Sequence, residues 1–232
     1  MRPDRFFTDN NDFPALLCAF FFGIHPMHVE SVTWVSERKD VLYALFFLFA
    51  MIFYLYFLQR KRSKYFYFLS LFAFIGSLFS KSAAVTLPVI LLLLDYQQDR
   101  KWDWKWLVEK IPFFLLSFLF GWLAILSQGT SGAMDLPRTF QFYERPFLAC
   151  YGIVFYLIKF FVPTGLSAIY PYPIKEGHWL PIEYYITFLV VAVLLFAIIK
   201  SGAYRKTIIF GSLFFLVGLS LVLQIVPVGK AI

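Results

Sequence analysis

The sequence predicts an all-α, polytopic membrane protein with about seven spans and one interfacial helix. Of its 232 residues, 60% are hydrophobic, 22% are aromatic and only 15% are charged, whereas soluble domains carry about 25% charged residues. The charges stand between long apolar runs, and about 20 apolar residues let a helix cross a bilayer. The net charge of +7 comes from basic residues in short loops, which orient the spans in a membrane. We therefore exclude nucleic acid as a partner.

The predicted spans belong to a single transmembrane module over residues 1–232 and lie at about 12–25, 40–58, 65–79, 83–95, 110–127, 183–199 and 207–227. The clearest are the uncharged runs 41–58 and 208–226. The first run is short, and Pro26 is expected to break its helix.

Residues 65–94 allow two interpretations, one long helix or two short ones. Ser80, Lys81, Ser82 and Pro88 interrupt the run midway, and basic loops flank both of its ends. Short loops rich in Lys and Arg stay in the cytoplasm, so a chain with two such loops must go out and return. We therefore predict two short helices, with Lys81 at the outer turn.

The same charge rule orients the remaining spans but leaves residues 147–162 open. If this segment crosses the membrane, Lys200, Arg205 and Lys206 fall outside. If it is an interfacial or half-membrane helix, they fall inside, as the rule favours. Lys159 within the segment favours the interfacial form, which we predict.

Residues 25–40 are the most informative polar stretch, with two His, two Glu, an Arg, a Lys and an Asp between two apolar runs. Polar groups in such a position are costly to place and usually functional. By the charge scheme this loop lies outside the cytoplasm, together with Lys81, the Arg138 loop, the Tyr170–Tyr172 region and Lys230.

Four segments, in this order, resemble a known family: HPMHVESVTWVSERKDVL at 25–42, SKSAAVTLP at 80–88 with LLLLD at 91–95, LSAIYPYP at 166–173, and VPVGKA at 226–231. The family comprises the bacterial membrane relatives of the transmembrane-and-tetratricopeptide-repeat protein O-mannosyltransferases, in the GT-C glycosyltransferase superfamily. The first segment is long and specific, and the others add weight by their order.

The resemblance implies a GT-C-like helical bundle that moves a sugar from a polyprenyl- or dolichyl-phosphate donor to a protein or glycan acceptor outside the cytoplasm. It also implies a bacterial inner membrane with a periplasmic active face, membrane lipid as surroundings, and no cofactor. Family members carry a first outer loop with an acidic catalytic residue, and C-terminal tetratricopeptide repeats. We therefore expect this chain to be incomplete and inactive alone, with those missing helices and repeats as partners.

Two carboxylates are the catalytic candidates. Glu30 and Asp40 are suited to orienting the acceptor hydroxyl or supporting its deprotonation. Asp40 is equally suited to capping the helix that starts near Val41. Glu30 has no such local role, and the main base is expected in the missing loop.

The candidates for binding the donor phosphate are cations and imidazoles, because fixed positive groups stabilise a departing phosphate. They are His25, His28, Arg38, Lys81 and Arg138. For the cations, the alternative is extension to lipid headgroups or pairing with a carboxylate. For the two His, the alternatives are a structural hydrogen bond or a metal, and we predict no metal because their spacing is a weak signal.

Tyr170 and Tyr172 are predicted to line a groove for lipid or acceptor, although a stiff turn is the commoner fate of alternating Tyr and Pro. The rival function is a non-enzymatic transporter or assembly scaffold. A transporter places polar groups near the membrane midplane, whereas the transferase interpretation predicts clustering at one face.

Overall fold

The computed structural model describes residues 12–60, 62–100, 103–130, 140–167, 170 and 179–223. The regular elements of that part are helices, which confirms the all-α class. We number the α-helices α1 Asp12–Ile24, α2 Val29–Thr33, α3 Arg38–Gln59, α4 Lys64–Ser80, α5 Leu87–Gln97, α6 Trp104–Val108, α7 Ile111–Thr130, α8 Arg145–Phe161, α9 Ile182–Lys200 and α10 Arg205–Leu219. Short 3-10 helices lie at Pro26–His28, Val35–Glu37, Ser82–Thr86, Phe142–Glu144 and Gly202–Tyr204.

Within the described residues, four helical stretches are long and apolar enough to cross a membrane: Val35–Gln59, Trp104–Ser127, Ile182–Lys200 and Gly202–Leu219. A fifth is possible if Phe13–Ile24 and Pro26–Thr33, which meet at a bend of 50°, form one broken span. The chain is thus a membrane-embedded helical protein. The number of seven spans and the GT-C arrangement stay predictions.

The predicted break at Lys81 coincides with the end of a helix. Helix α4 stops at Ser80, and helical structure resumes at Ser82. Lys81 between them is extended, with φ −154° and ψ 135°. The two apolar helices on either side, Lys64–Ser80 and Ser82–Gln97, are shorter than the four long stretches.

Two compact units make up the chain, Met1–Trp122 and Leu123–Ile232. The prediction of a single module is not tested by this division. The second unit is built on α8 and α9, whose aromatic side chains interlock. Tyr151 stacks on Tyr184 with ring centroids 4.2 Å apart, and Phe147 packs at 5.0 Å from Tyr185. That α8 is an interfacial or half-membrane helix stays a prediction.

The first unit is organised by α3 and α4, which form an antiparallel hairpin. Hydroxyl groups of α4 donate to backbone carbonyls of α3: Ser70 Oγ to Ala50 O at 2.7 Å, and Ser77 Oγ to Tyr43 O at 3.1 Å. Both serines are buried, so these bonds satisfy hydroxyls that water does not reach. They fix a register in which the start of α3 lies beside the end of α4.

Gly76 allows α3 and α4 to approach closely. A Cβ atom at this position would lie 3.1 Å from a ring carbon of Phe46. Because added volume in a packed contact forces neighbours apart, we expect Gly76→Leu to destabilise the chain by about 1–3 kcal/mol. The measurement is thermal unfolding of the detergent-purified protein. Gly211→Leu is the control, since a Cβ at that helical glycine meets nothing within 4 Å; equal losses in both variants would contradict the close approach.

Candidate functional site

An ion pair between Lys81 and Asp40 joins two of the segments that carry the sequence resemblance. Lys81 Nζ lies 2.6 Å from Asp40 Oδ1 and 2.7 Å from Oδ2, so the ammonium bridges both carboxylate oxygens. The two residues are 41 positions apart. The side chains keep 36% and 24% of their exposure, respectively. The pair is therefore reachable from outside the protein.

The hairpin register brings the two residues together. Asp40 stands in the first turn of α3 and Lys81 directly follows α4, so both lie at the same end of the hairpin. Lys81 is anchored on both sides by its backbone: its N–H donates to Ser77 O at 3.0 Å and its carbonyl accepts from Ala84 N at 3.1 Å. The side chain is thus presented from a fixed turn.

The structure does not place Asp40 at the helix cap, which was the alternative to its catalytic role. Helix α3 begins at Arg38, and Glu37 occupies the cap position. A carboxylate in the first turn interacts favourably with the helix dipole, so this position suits Asp40. The capping alternative was therefore wrong, and Asp40 serves as the partner of Lys81.

The two histidines take part in the local structure of the 25–37 segment. His25 Nδ1 accepts from the backbone N–H of Met27 at 3.2 Å and thereby caps the 3-10 turn. The ring of His28 packs against Phe22 with centroids 4.5 Å apart. The His25 contact is the structural hydrogen bond of the alternative, whereas the His28 contact is ring packing, and phosphate binding by both residues stays a prediction. Across the described residues, no group of three or more His, Cys, Asp or Glu is arranged to hold a metal.

Some of the remaining candidates lie within the described residues and some outside them. Glu30 and Arg38 are exposed on the 25–40 segment, while Glu37 pairs with Lys39 at 3.3 Å instead of with Arg38. Arg138 and Tyr172 lie outside the described residues.

Tyr170 belongs to the second unit. Its hydroxyl accepts from Ser167 N at 2.8 Å and lies 3.5 Å from Gly165 O. Its ring meets Phe155 edge-on at 4.7 Å. Tyr170 thus stabilises a turn; its predicted role in a groove stays a prediction.

A second polar cluster, which sequence reasoning missed, lies at the other end of the hairpin. Tyr54 donates to both oxygens of Asp95, at 2.9 and 3.0 Å. Lys110 Nζ contacts the same carboxylate and the Tyr54 hydroxyl. Lys110 is 0% and Asp95 1% exposed. Tyr54 follows Asp40 by fourteen positions on α3, which places the two clusters about 21 Å apart along the helix.

Arg100 and Glu109 extend this cluster toward the surface. Arg100 donates from Nη1 to Asp95 and to Tyr54, each at 3.3 Å, while Nη2 lies 2.6 Å from Glu109. Burial alone would lower the pKa of Arg100, but its hydrogen bond to Glu109 and the neighbouring charges raise it above its ordinary value. Arg100 therefore stays protonated and holds two carboxylates. We call these residues the buried charge cluster: Tyr54, Asp95, Arg100, Glu109 and Lys110.

A sequence signal for the buried charge cluster does exist. Asp95 closes one apolar run and Lys110 opens the next. Single ionisable residues at such positions are normally paired or functional. By the charge rule used for orientation, Lys110 and Arg100 are simply basic residues of the loop between α5 and α7.

Comparisons with protein-family models, curated proteins and solved structures gave no match for this chain.

Proposed function

We propose that this chain is a membrane glycosyltransferase component of GT-C type, related to the protein O-mannosyltransferases. Its donor is a sugar on polyprenyl or dolichyl phosphate, and its acceptor is a protein or glycan outside the cytoplasm. The observation that carries the proposal is the Lys81–Asp40 pair, which unites the 25–42 and 80–88 segments at one accessible end of the hairpin. Sugar transfer from a lipid phosphate needs a cation and a carboxylate near each other, and this end of the hairpin supplies both.

Lys81 is assigned to the donor phosphate. In the reaction, the acceptor hydroxyl gives its proton to a carboxylate base, its oxygen bonds to the anomeric carbon, and the bond from that carbon to the phosphate oxygen breaks. Negative charge grows on the departing lipid phosphate, and a fixed ammonium stabilises it. When the ammonium of Lys81 pairs with the donor phosphate, Asp40 loses its partner. The carboxylate is then available to accept a hydrogen bond from the acceptor hydroxyl, with exposed Glu30 as a second candidate.

The charge pattern supports an extracytoplasmic position for the Lys81–Asp40 pair. The basic residues Arg60, Arg62, Lys64, Arg100 and Lys105 lie at or beyond the opposite ends of α3, α4 and α5. Short basic loops remain in the cytoplasm. The end with Asp40 and Lys81 then faces the periplasm if the membrane is a bacterial inner membrane.

The distribution of charge disfavours the transporter alternative. Along α3, α4 and α5, the charged residues stand near the helix ends, and the middle of each helix is uncharged. A transport site near the midplane would place polar groups where these helices carry apolar ones and two serines bonded to backbone.

The affinity of the Lys81→Met variant for the donor, compared with that of the wild type, tests the proposal. We expect the purified chain to bind a polyprenyl-phosphate sugar more tightly than the neutral polyprenol, and the variant to lose about tenfold or more in donor affinity, because a charge-assisted hydrogen bond to phosphate is removed. Lys39→Met is the matched control, since Lys39 lies on the same segment and pairs with Glu37.

Thermal unfolding of both variants shows whether a loss of binding reflects loss of fold. The proposal is wrong if folded Lys81→Met binds the donor as the wild type does, or if the donor and the neutral polyprenol bind equally.

A further inference from the structure

We propose that the exposed side of α4 binds one anionic phospholipid, with its phosphate at Arg62 and Lys64 and an acyl chain along the helix. This site lies at the opposite end of the hairpin from Lys81 and does not depend on the proposed function. It follows from a groove, a surplus of positive charge and a match of length.

The groove runs along a single helix. Its walls come from positions spaced along one side of α4, namely Tyr65, Phe68, Leu69, Leu71, Phe72 and Ile75. Three of these large side chains, Tyr65, Phe68 and Phe72, are exposed. From Tyr65 to Ile75 the helix rises about 15 Å, which is the depth of one leaflet of the hydrocarbon core. An acyl chain that enters at Tyr65 therefore stays in the groove to the bilayer middle.

A surplus cation stands where the groove begins. Among the residues that the structure describes here, three cations, Arg62, Arg100 and Lys110, share two carboxylates, Asp95 and Glu109. Glu109 is held at 2.6 Å by Arg100 and only at 3.7 Å by Arg62. The unbalanced positive charge thus falls on Arg62, whose side chain is 49% exposed.

The turn before α4 holds Arg62 in place. Its backbone has φ 58°, a conformation that costs a non-glycine residue about 1–2 kcal/mol. The Arg62 N–H donates to Phe57 O at 3.1 Å, and Arg60 N–H donates to Tyr56 O at 2.9 Å. Lys64 follows two residues later as the first residue of α4 and is exposed. Arg62 and Lys64 thus lie in and directly after a fixed turn, next in sequence to Tyr65, the first residue of the groove.

A phospholipid fits this arrangement better than a soluble anion. The apolar groove begins at Tyr65, the residue after Lys64, so one molecule with a phosphate and a chain satisfies both parts. Anionic lipids are drawn to basic residues at the cytoplasmic surface, at about fivefold in affinity for each cation. Tyr65 is also suited to the headgroup level, where Tyr is enriched.

Lipid titration of the detergent-purified chain, followed by native mass spectrometry, tests this inference. Phosphatidylglycerol and phosphatidylcholine with identical acyl chains are the probes. We expect one phosphatidylglycerol to bind at least tenfold more tightly than phosphatidylcholine. In Arg62→Gln/Lys64→Gln this preference should fall to near equality. The matched control, Lys39→Gln/Lys105→Gln, removes the same charge from positions outside the turn before α4 and should keep the preference within twofold.

Two further arms locate the occupant. Phe72→Ala should weaken both lipids alike, since Phe72 is exposed and lines the groove. Soluble glycerol phosphate should fail to displace the bound lipid. The inference is overturned if both double variants lose the preference equally, if wild type shows no preference, or if glycerol phosphate competes at the lipid's own concentration.

Discussion

Lys110→Met is expected to lower the free energy of unfolding by about 3–5 kcal/mol, the cost of removing one partner from a buried ion pair. Lys110 is 0% exposed and contacts both Asp95 and the Tyr54 hydroxyl. Methionine keeps a similar volume but leaves the Asp95 carboxylate, among the described residues, with Tyr54 and one bond from Arg100. Reversible unfolding in detergent with increasing denaturant measures the change.

Lys110→Met/Asp95→Leu separates the loss of a partner from the loss of packing. Replacing both members of a buried pair by apolar residues is often neutral, so the double variant should recover most of the lost stability. A single variant as stable as wild type would contradict the buried charge cluster. A double variant no better than Lys110→Met would indicate that packing around Lys110, and not its charge, is the main contribution.

Phe113→Ala is expected to cost about 3–5 kcal/mol, as deletion of a buried aromatic ring generally does. Phe113 is fully buried. Its ring lies 5.8 Å from Tyr67 and 5.6 Å from Phe74, so it fastens α7 to α4. The loss of this ring leaves a cavity that the two helices cannot close without moving.

Phe118→Ala is the control for that prediction. Phe118 lies on the same helix but is 74% exposed, so its replacement removes little packing within the chain. The measurement is again unfolding in detergent. Similar losses in the two variants would contradict the tight contact between α7 and α4.

The helices and the break between two of them could be predicted from local composition. The break at Lys81 follows from Ser80, Ser82 and Pro88 together with basic loops on both sides. Helix α3 begins at Arg38 instead of near Val41, because a first turn accepts charged side chains that a hydropathy pattern excludes.

The contacts between distant residues could not be predicted in the same way. Asp40 meets Lys81 in the hairpin register that the bonds from Ser70 and Ser77 help to hold. Asp95 meets Lys110 because α5 ends beside Tyr54 and α7 begins there. A sequence shows which charges border apolar runs, but the pairing of those charges depends on packing over 15 to 41 residues.

Mapping where a lipid-phosphate sugar touches the chain tests the central claim most directly. The probe is a polyprenyl-phosphate sugar with a photoreactive group next to the phosphate, irradiated with the membrane-embedded protein and mapped by peptide mass spectrometry. We predict adducts on residues 25–40 and 80–82 that excess unlabelled donor removes. Adducts confined to the buried charge cluster or to the groove on α4, or insensitive to unlabelled donor, would contradict a donor site at Lys81 and Asp40.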